Sequence, residues 1–200
     1  MSNSAEHFGL YLSSNFLDGR ECANLVEEVC AARGGPATVY TPNAASPVNE
    51  RLRRTTRHML SHEVTERVRS LLLRRKDEVA EHFGLKLSDC EDPQFLRYRE
   101  GDFFVAHQDG NTEQLQYDHL RVRRVSVVVF LNRQSREPEP GAFGGGSLVF
   151  YEPDVDPERK ELGFAPAVEP GLFVAFRSET THEVRPVTHG QRFSIVCWYR

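Results

Sequence analysis

Apolar positions follow two different rhythms along the chain. In the first half they recur at helical spacing. Asp18 stands as an N-cap with Glu21 three residues on, and Cys22, Leu25, Val26, Val29 and Cys30 then form a stripe, the pattern of a capping box opening an amphipathic helix. Gly34-Gly35-Pro36 is expected to stop it. A second stripe, Val64, Val68, Leu71, Leu72, Val79 and Phe83, predicts a helix that starts near Ser61 and ends at Gly84. Phe8 to Phe16 reads as a short edge strand, and residues 41–50, rich in Pro, Asn, Ala and Ser, as a loop. From residue 94 the rhythm becomes that of strands. Val125 to Leu131 is a run rich in β-branched residues and of strand length, and Ser147 to Tyr151 and Leu172 to Phe176 are shorter runs. Thr181 to Val187 and Arg192 to Tyr199 flank Thr188-His189-Gly190, which predicts a hairpin.

Helices followed by many short strands, without βαβ alternation, indicate an α+β, mainly β, sandwich or jelly roll with the N-terminal helices packed on one sheet. The 200 residues suit one domain, helix-rich over 1–93 and β over 94–200. Long loops are expected at 110–120, 132–146 and 152–166. A hydrophobic fraction of 39% with 27% charged residues marks a globular chain, and no apolar run approaches the ~20 residues of a membrane span. The opening Met-Ser-Asn-Ser-Ala-Glu-His has no basic segment before an apolar stretch, which argues against a secretory signal. Cys22, Cys30, Cys90 and Cys197 form no metal or disulfide spacing and read as small apolar side chains in a reducing cytoplasm. A net charge of −4 argues against a dedicated nucleic-acid coat protein.

Candidate chemistry lies in the β half. On a strand His107 and Asp109, two residues apart, face the same way. His182 follows far downstream, and Arg192 ten residues later, across the predicted hairpin. Two His and one carboxylate form a facial triad for Fe(II), leaving positions for a chelating co-substrate and dioxygen, while an Arg can clamp a carboxylate. Each residue has a blander reading as well: the triad as incidental polar residues, Tyr98 and Trp198 as core packing, Arg123 as a salt bridge with a loop acid. His7, His58, His62, His82, His119 and His189 read as surface or loop residues. The stretch 51–76 holds Arg51, Arg53, Arg54, Arg57, Arg67, Arg69, Arg74, Arg75 and Lys76 against Glu63 and Glu66. A nucleic-acid contact there is conceivable, but a solvated helix face with ion pairs to the acidic segments 77–92 and 152–161 is the preferred reading.

Order and spacing over the whole chain add a family likeness. Phe16-Leu17 with Cys22 and Leu25, Arg97-Tyr98-Arg99-Glu100-Gly101 ahead of His107, Arg123 with Ser126, Leu131-Asn132, Gly145-Gly146-Ser147-Leu148, Pro170-Gly171, and His182 to Trp198 together resemble the 2-oxoglutarate- and Fe(II)-dependent oxygenases, in particular the prolyl 4-hydroxylase-like group. The resemblance implies a double-stranded β-helix, a distorted jelly roll, with iron at its open end on His107, Asp109 and His182. It implies Arg192 on the distal carboxylate of 2-oxoglutarate, Tyr98 donating to the same co-substrate, Val128, Leu148, Val184 and Trp198 lining the pocket, and Arg123 near the substrate. Some relatives have a Tyr where this chain has Phe130, which cannot donate, so the resemblance implies either a greater share of co-substrate binding for Arg192 and Tyr98 or a substitute hydroxyl from Ser126. The implied cofactors are Fe(II), 2-oxoglutarate and O2, with ascorbate as an accessory reductant. The implied reaction is hydroxylation of an unactivated C–H bond, by preference of a prolyl residue in a protein or peptide, with release of succinate and CO2. A free amino acid or small metabolite is the alternative substrate. A nucleic-acid dealkylase would carry a second Arg where Trp198 stands. A zinc hydrolase or a binding module using the same ligands would have no need of Arg192.

Overall fold

The computed structural model describes residues 2–38, 48–110, 118–152 and 163–200. In chain order the elements are α1 (Ser2–His7), β1 (Tyr11–Ser13), α2 (Gly19–Ala31), β2 (Gly34–Pro36), β3 (Arg53–Arg54), β4 (Thr56–His58), α3 (His62–Phe83), β5 (Gln94–Tyr98), β6 (Phe103–His107), α4 (Asp118–Arg121), β7 (Val125–Phe130), β8 (Phe143–Gly145), β9 (Leu148–Phe150), β10 (Phe173–Arg177), β11 (His182–Val184), β12 (Val187–Gly190) and β13 (Arg192–Tyr199). The caps expected from sequence are present. The Asp18 side chain accepts from the Glu21 N–H at 2.7 Å, and Glu21 reaches back to the Asp18 N–H at 2.8 Å. Ser61 caps α3, and Gly84 ends it in the left-handed conformation.

A seven-stranded sheet runs β1-β10-β7-β13-β5-β4-β2, and a four-stranded sheet runs β3-β6-β11-β9, with β12 and β8 paired separately. All pairings between these strands are antiparallel, which makes a distorted jelly roll. Strand period sorts the core into two faces. On β7, Val125, Val127 and Val129 face outward and pack with Leu25 and Val29 of α2 and Val68, Leu72 and Val79 of α3. Val128 and Phe130 face inward with Phe176 of the neighbouring β10 and with Leu148 and Val184 of the opposing sheet. The helices thus back one sheet, and the space between the sheets is left for chemistry.

Several expectations change. Helix α2 ends at Ala31, and Gly34–Pro36 is instead an edge strand paired with β4. The basic stretch is not one helix face, because Arg53, Arg54 and Arg57 lie on strands. The helical part does pair with nearby acids, Arg69 with Asp89 at 2.6 Å and Arg75 with Glu78 at 2.6 Å. His58 is buried rather than on the surface, with Nδ1 donating to the Ala32 carbonyl at 3.1 Å.

The hairpin over 181–199 does not form. Strand β11 lies between β6 and β9, and β13 between β7 and β5, so both have their hydrogen-bonding edges filled by other partners. The residues expected to turn, Thr188 to Gly190, pair with β8 as part of β12. Gly190, at φ 68°, passes so close to Ala142 that a Cβ there would sit 2.2 Å from its carbonyl oxygen. Between 132 and 146, Phe143–Gly145 is a strand rather than loop. Most of the 41–50, 110–120 and 152–166 segments, with their acids, lie outside the described residues.

Candidate active site

His107 ends β6 and His182 begins β11, directly opposite each other in register. Asp109 lies beyond β6 rather than on it. It is held by the Ser178 carbonyl, which accepts from the Asp109 N–H at 2.9 Å and the Gly110 N–H at 3.1 Å. The two imidazoles are anchored alike, with Nδ1 of His107 donating to the Val105 carbonyl at 2.8 Å and Nδ1 of His182 to the Thr180 carbonyl at 3.0 Å. A carbonyl only accepts, so each Nδ1 carries the hydrogen and each Nε2 keeps its lone pair. Phe104 stacks on His107 with centroids 3.5 Å apart, and Phe176 meets His182 edge-on at 4.6 Å. Nε2 of His107 is 3.4 Å from Oδ1 of Asp109, and Nε2 of His182 is 3.7 Å from Oδ2. The three donor atoms lie within 4.8 Å of one another, a spacing that a single metal ion can bridge.

Burial raises the Asp109 carboxyl, but the imidazoles of His182 and His107 outweigh it and hold the group below the usual carboxylate range. Burial, then the neighbouring His107, pushes His182 down to about 4. At neutral pH Asp109 is therefore ionised and His182 neutral, the protonation states that ligate.

A cavity of about 40 Å³ opens between these ligands and Arg192, lined also by Tyr98, Val128, Leu148, Val184 and Trp198. Six of the seven non-ligand pocket residues expected from sequence thus meet in one place. Ser126 does not join them: its hydroxyl bonds to that of Ser178 at 3.0 Å. The hydroxyl found beside the guanidinium belongs to Ser194, which accepts from Nη1 of Arg192 at 3.0 Å. Two positions along the same strand place Ser194 on the Arg192 face, and this period-2 signal was available in the sequence.

Arg192 is 1% exposed. Its guanidinium lies 4.7 Å from the Phe130 ring centre and 5.0 Å from that of Tyr98. Nε has no hydrogen-bond partner, and no carboxylate among the described residues pairs with the group. Burial pushes it down to about 10. A buried cation without an anion is expensive, and a pocket built around one fits an anionic ligand. The donor set fits a metal, which His107, Asp109 and His182 would hold, and a carboxylate ligand, which Arg192 would hold.

A second cavity, of about 250 Å³, adjoins the ligands and is walled by Arg53, Phe104, Arg123 and Trp198. Arg123 makes a two-pronged ion pair with Glu91 at 2.7 Å, stacks on Trp198 at 3.6 Å and reaches toward the Asp109 carbonyl at 3.4 Å. It therefore has an acid partner and also walls the open side of the site. A further cavity, about 470 Å³ at the β2/β4 edge, contains none of the triad.

A jelly roll with a His-x-Asp…His cluster facing a buried Arg defines a class of mononuclear metal oxygenases. The family model of the 2OG-Fe(II) oxygenase superfamily matches residues 93–200, and the chain belongs to that superfamily, whose cofactors are Fe(II), 2-oxoglutarate and O2. A PKHD-type hydroxylase of Gluconacetobacter diazotrophicus is 29% identical over 179 residues, covering 86% of this chain and 73% of the relative. A PKHD-type hydroxylase of Janthinobacterium sp. (strain Marseille) is 31% identical over 107 residues, 53% of this chain, and the match spans only 42% of that relative's length. Among solved structures, a prolyl-4-hydroxylase of Pseudomonas putida superposes with a TM-score of 0.70 at 21% identity, over 99% of this chain and 95% of the other. A Trichoplax adhaerens prolyl hydroxylase, solved in complex with a hypoxia inducible factor oxygen degradation domain peptide fragment, gives 0.69 at 17% identity, over 98% and 86%. No helix among the described residues is long and apolar enough to cross a membrane.

Proposed function

We propose that this chain is a 2-oxoglutarate- and Fe(II)-dependent hydroxylase acting on a prolyl residue of a protein or peptide. The observation that carries the reading is the buried, unpaired Arg192 facing three converging ligand atoms across a small apolar cavity.

In this reading His107, Asp109 and His182 hold the iron, each imidazole fixed by its Nδ1–H so that Nε2 needs no reorientation. Arg192 receives the distal carboxylate of 2-oxoglutarate, with Ser194 keeping the guanidinium in place and the faces of Phe130 and Tyr98 beneath it. Val128, Leu148 and Val184 exclude water around the co-substrate. When bound, Fe(II) with 2-oxoglutarate and O2 supplies the oxidising power that places one oxygen atom in the substrate C–H bond and the other in succinate, with loss of CO2. Arg123 and Trp198 form the wall along which substrate approaches. The 200 residues act as one catalytic unit, with the helices of 1–93 bracing the large sheet. The compartment proposed for it is the reducing cytoplasm, which suits four cysteines without a disulfide spacing.

A peptide substrate is favoured by the open second cavity beside His107 and Asp109, which can admit an extended chain. The test is incubation of Fe(II)-loaded protein with 2-oxoglutarate, air and proline-containing peptides. The expected result is succinate together with a product heavier by one oxygen atom on proline. Peptides left unmodified while a free amino acid gains oxygen would replace this reading with a small-molecule hydroxylase.

A further inference from the structure

We infer that Arg53 is an anchor for a carboxylate of the substrate, so that the preferred peptides carry Asp or Glu within two residues of the oxidised position. The inference rests on the peptide-hydroxylase reading and specifies its substrate class. Strand β3 pairs with β6 so that Arg53 lies opposite Phe104. The guanidinium carbon stands 4.6 Å from the centre of the Phe104 ring. That ring is stacked on His107 at 3.5 Å and 18°. The charge is thus separated from a metal-ligating imidazole by the thickness of one aromatic ring, and Arg53 borders both the small cavity and the larger one beside it.

Its polar groups are largely unclaimed. Nη1 donates to the Thr38 carbonyl at 3.0 Å, and Nε is buried without a partner. No carboxylate among the described residues pairs with it, whereas Arg123, the other cation lining the larger cavity, is matched by Glu91, and the adjacent Arg54 by Asp102 at 2.9 Å. The larger cavity therefore contains one uncompensated positive charge, fixed against an aromatic face and displaced to one side of the metal ligands. A neutral segment laid there would leave Nε desolvated and unpaired, a lysine would be repelled, and a carboxylate would make a charge-assisted pair. Ring and guanidinium together place the charge within about 8 Å of the imidazole. An extended peptide advances roughly 3.3–3.6 Å per residue, so an acid one or two residues from the target reaches it.

The test uses protein loaded with Mn(II) and 2-oxoglutarate under argon, and labelled peptides with a central proline. Positions one and two residues to either side carry Asp or Glu, the matching amides, or Lys, and binding is read by fluorescence anisotropy. An acid at one of these positions should tighten binding at least about tenfold over the amide. Arg53→Gln should abolish the difference, and Arg53→Glu should move the preference to Lys. A 2-oxoglutarate-dependent rise in melting temperature verifies that each variant retains its pocket, and the wild-type series decides the matter alone should a variant fail to fold. Equal affinity for acid and amide peptides in the wild type, or an acid preference that survives in Arg53→Gln, would remove the anchor and leave the hydroxylase reading standing. If no peptide binds, the anchor and the peptide reading fall together.

Discussion

Replacing Arg192 by Met should stabilise the protein when 2-oxoglutarate is absent and weaken it, relative to the wild type, when the co-substrate is present. The side chain is 1% exposed, with one hydrogen bond, to Ser194. Burial lowers its pKa from the ordinary guanidinium range to about 10. Because the folded state holds the proton less tightly than the unfolded chain, the charge opposes folding at every pH below about 10. At about 1.4 kcal/mol per pH unit, the penalty is about 3 kcal/mol. Methionine keeps most of the apolar stem. It loses a hydrogen bond worth about 1 kcal/mol and contacts with Phe130 and Tyr98 worth about 1 kcal/mol more. The net gain is about 1 kcal/mol, a rise of about 2–4 °C in Tm for a chain of this size. With 2-oxoglutarate at a hundred times its Kd, the wild type gains about 2.7 kcal/mol, which the variant cannot share. Melting curves of Mn(II)-loaded protein with and without 2-oxoglutarate should therefore cross over between the two proteins. A variant that melts several degrees below the wild type without 2-oxoglutarate and still responds to it would refute the reasoning.

The two serines separate by function. Ser194→Ala should raise the 2-oxoglutarate concentration needed for half-maximal succinate release by about fivefold, whereas Ser126→Ala should leave it unchanged and lower stability by about 1 kcal/mol through the loss of its bond to Ser178. Equal effects on the 2-oxoglutarate requirement would contradict the placement of Ser194 beside the co-substrate. His58 supplies a pH dependence: burial, with Arg97 and Arg99 nearby, lowers its pKa below 6.5, although its bond to the Ala32 carbonyl opposes this. As pH falls through 6.5 the unfolded chain takes up the proton first, so the stability this residue contributes is complete above 6.5 and declines as pH falls toward the lowered value. Urea midpoints should drop between pH 7.5 and 5, and His58→Gln should flatten that slope; an unaltered slope would assign the titration to another group.

Local signals were legible because their physics is local. The caps at Asp18, Ser61 and Gly84 satisfy their own helix ends, and the apolar run at Val125 carries its strand whatever its neighbours. The His-x-Asp spacing and the distant His182 were legible as a ligand set, although Asp109 owes its position to the Ser178 carbonyl and not to a strand. Pairing between distant segments was not legible. Thr188 to Gly190 has turn chemistry, yet β8 arrives beside it and the flanking strands are taken by β6, β9, β5 and β7. The three-residue strands β2 and β4 carry no alternation of their own and form by extending the sheet beyond β5. The Ser126 hydroxyl is taken by Ser178, a proximity that sequence does not reveal. Arg53 was submerged in a run of basic residues, and only the pairing of β3 with β6 distinguishes it.

The central claim is that His107, Asp109 and His182 together hold the iron that drives 2-oxoglutarate turnover. Its most direct test is succinate release and iron content after anaerobic Fe(II) loading and exposure to air, for the wild type and for His107→Ala, Asp109→Ala and His182→Ala, each verified as folded by circular dichroism. The wild type should retain a single iron per chain and release succinate, while each variant should lose iron affinity by roughly 10–100-fold or more and release none above background. Full turnover in any folded variant would remove that residue from the ligand set, and turnover in all three would place the chemistry elsewhere in the molecule.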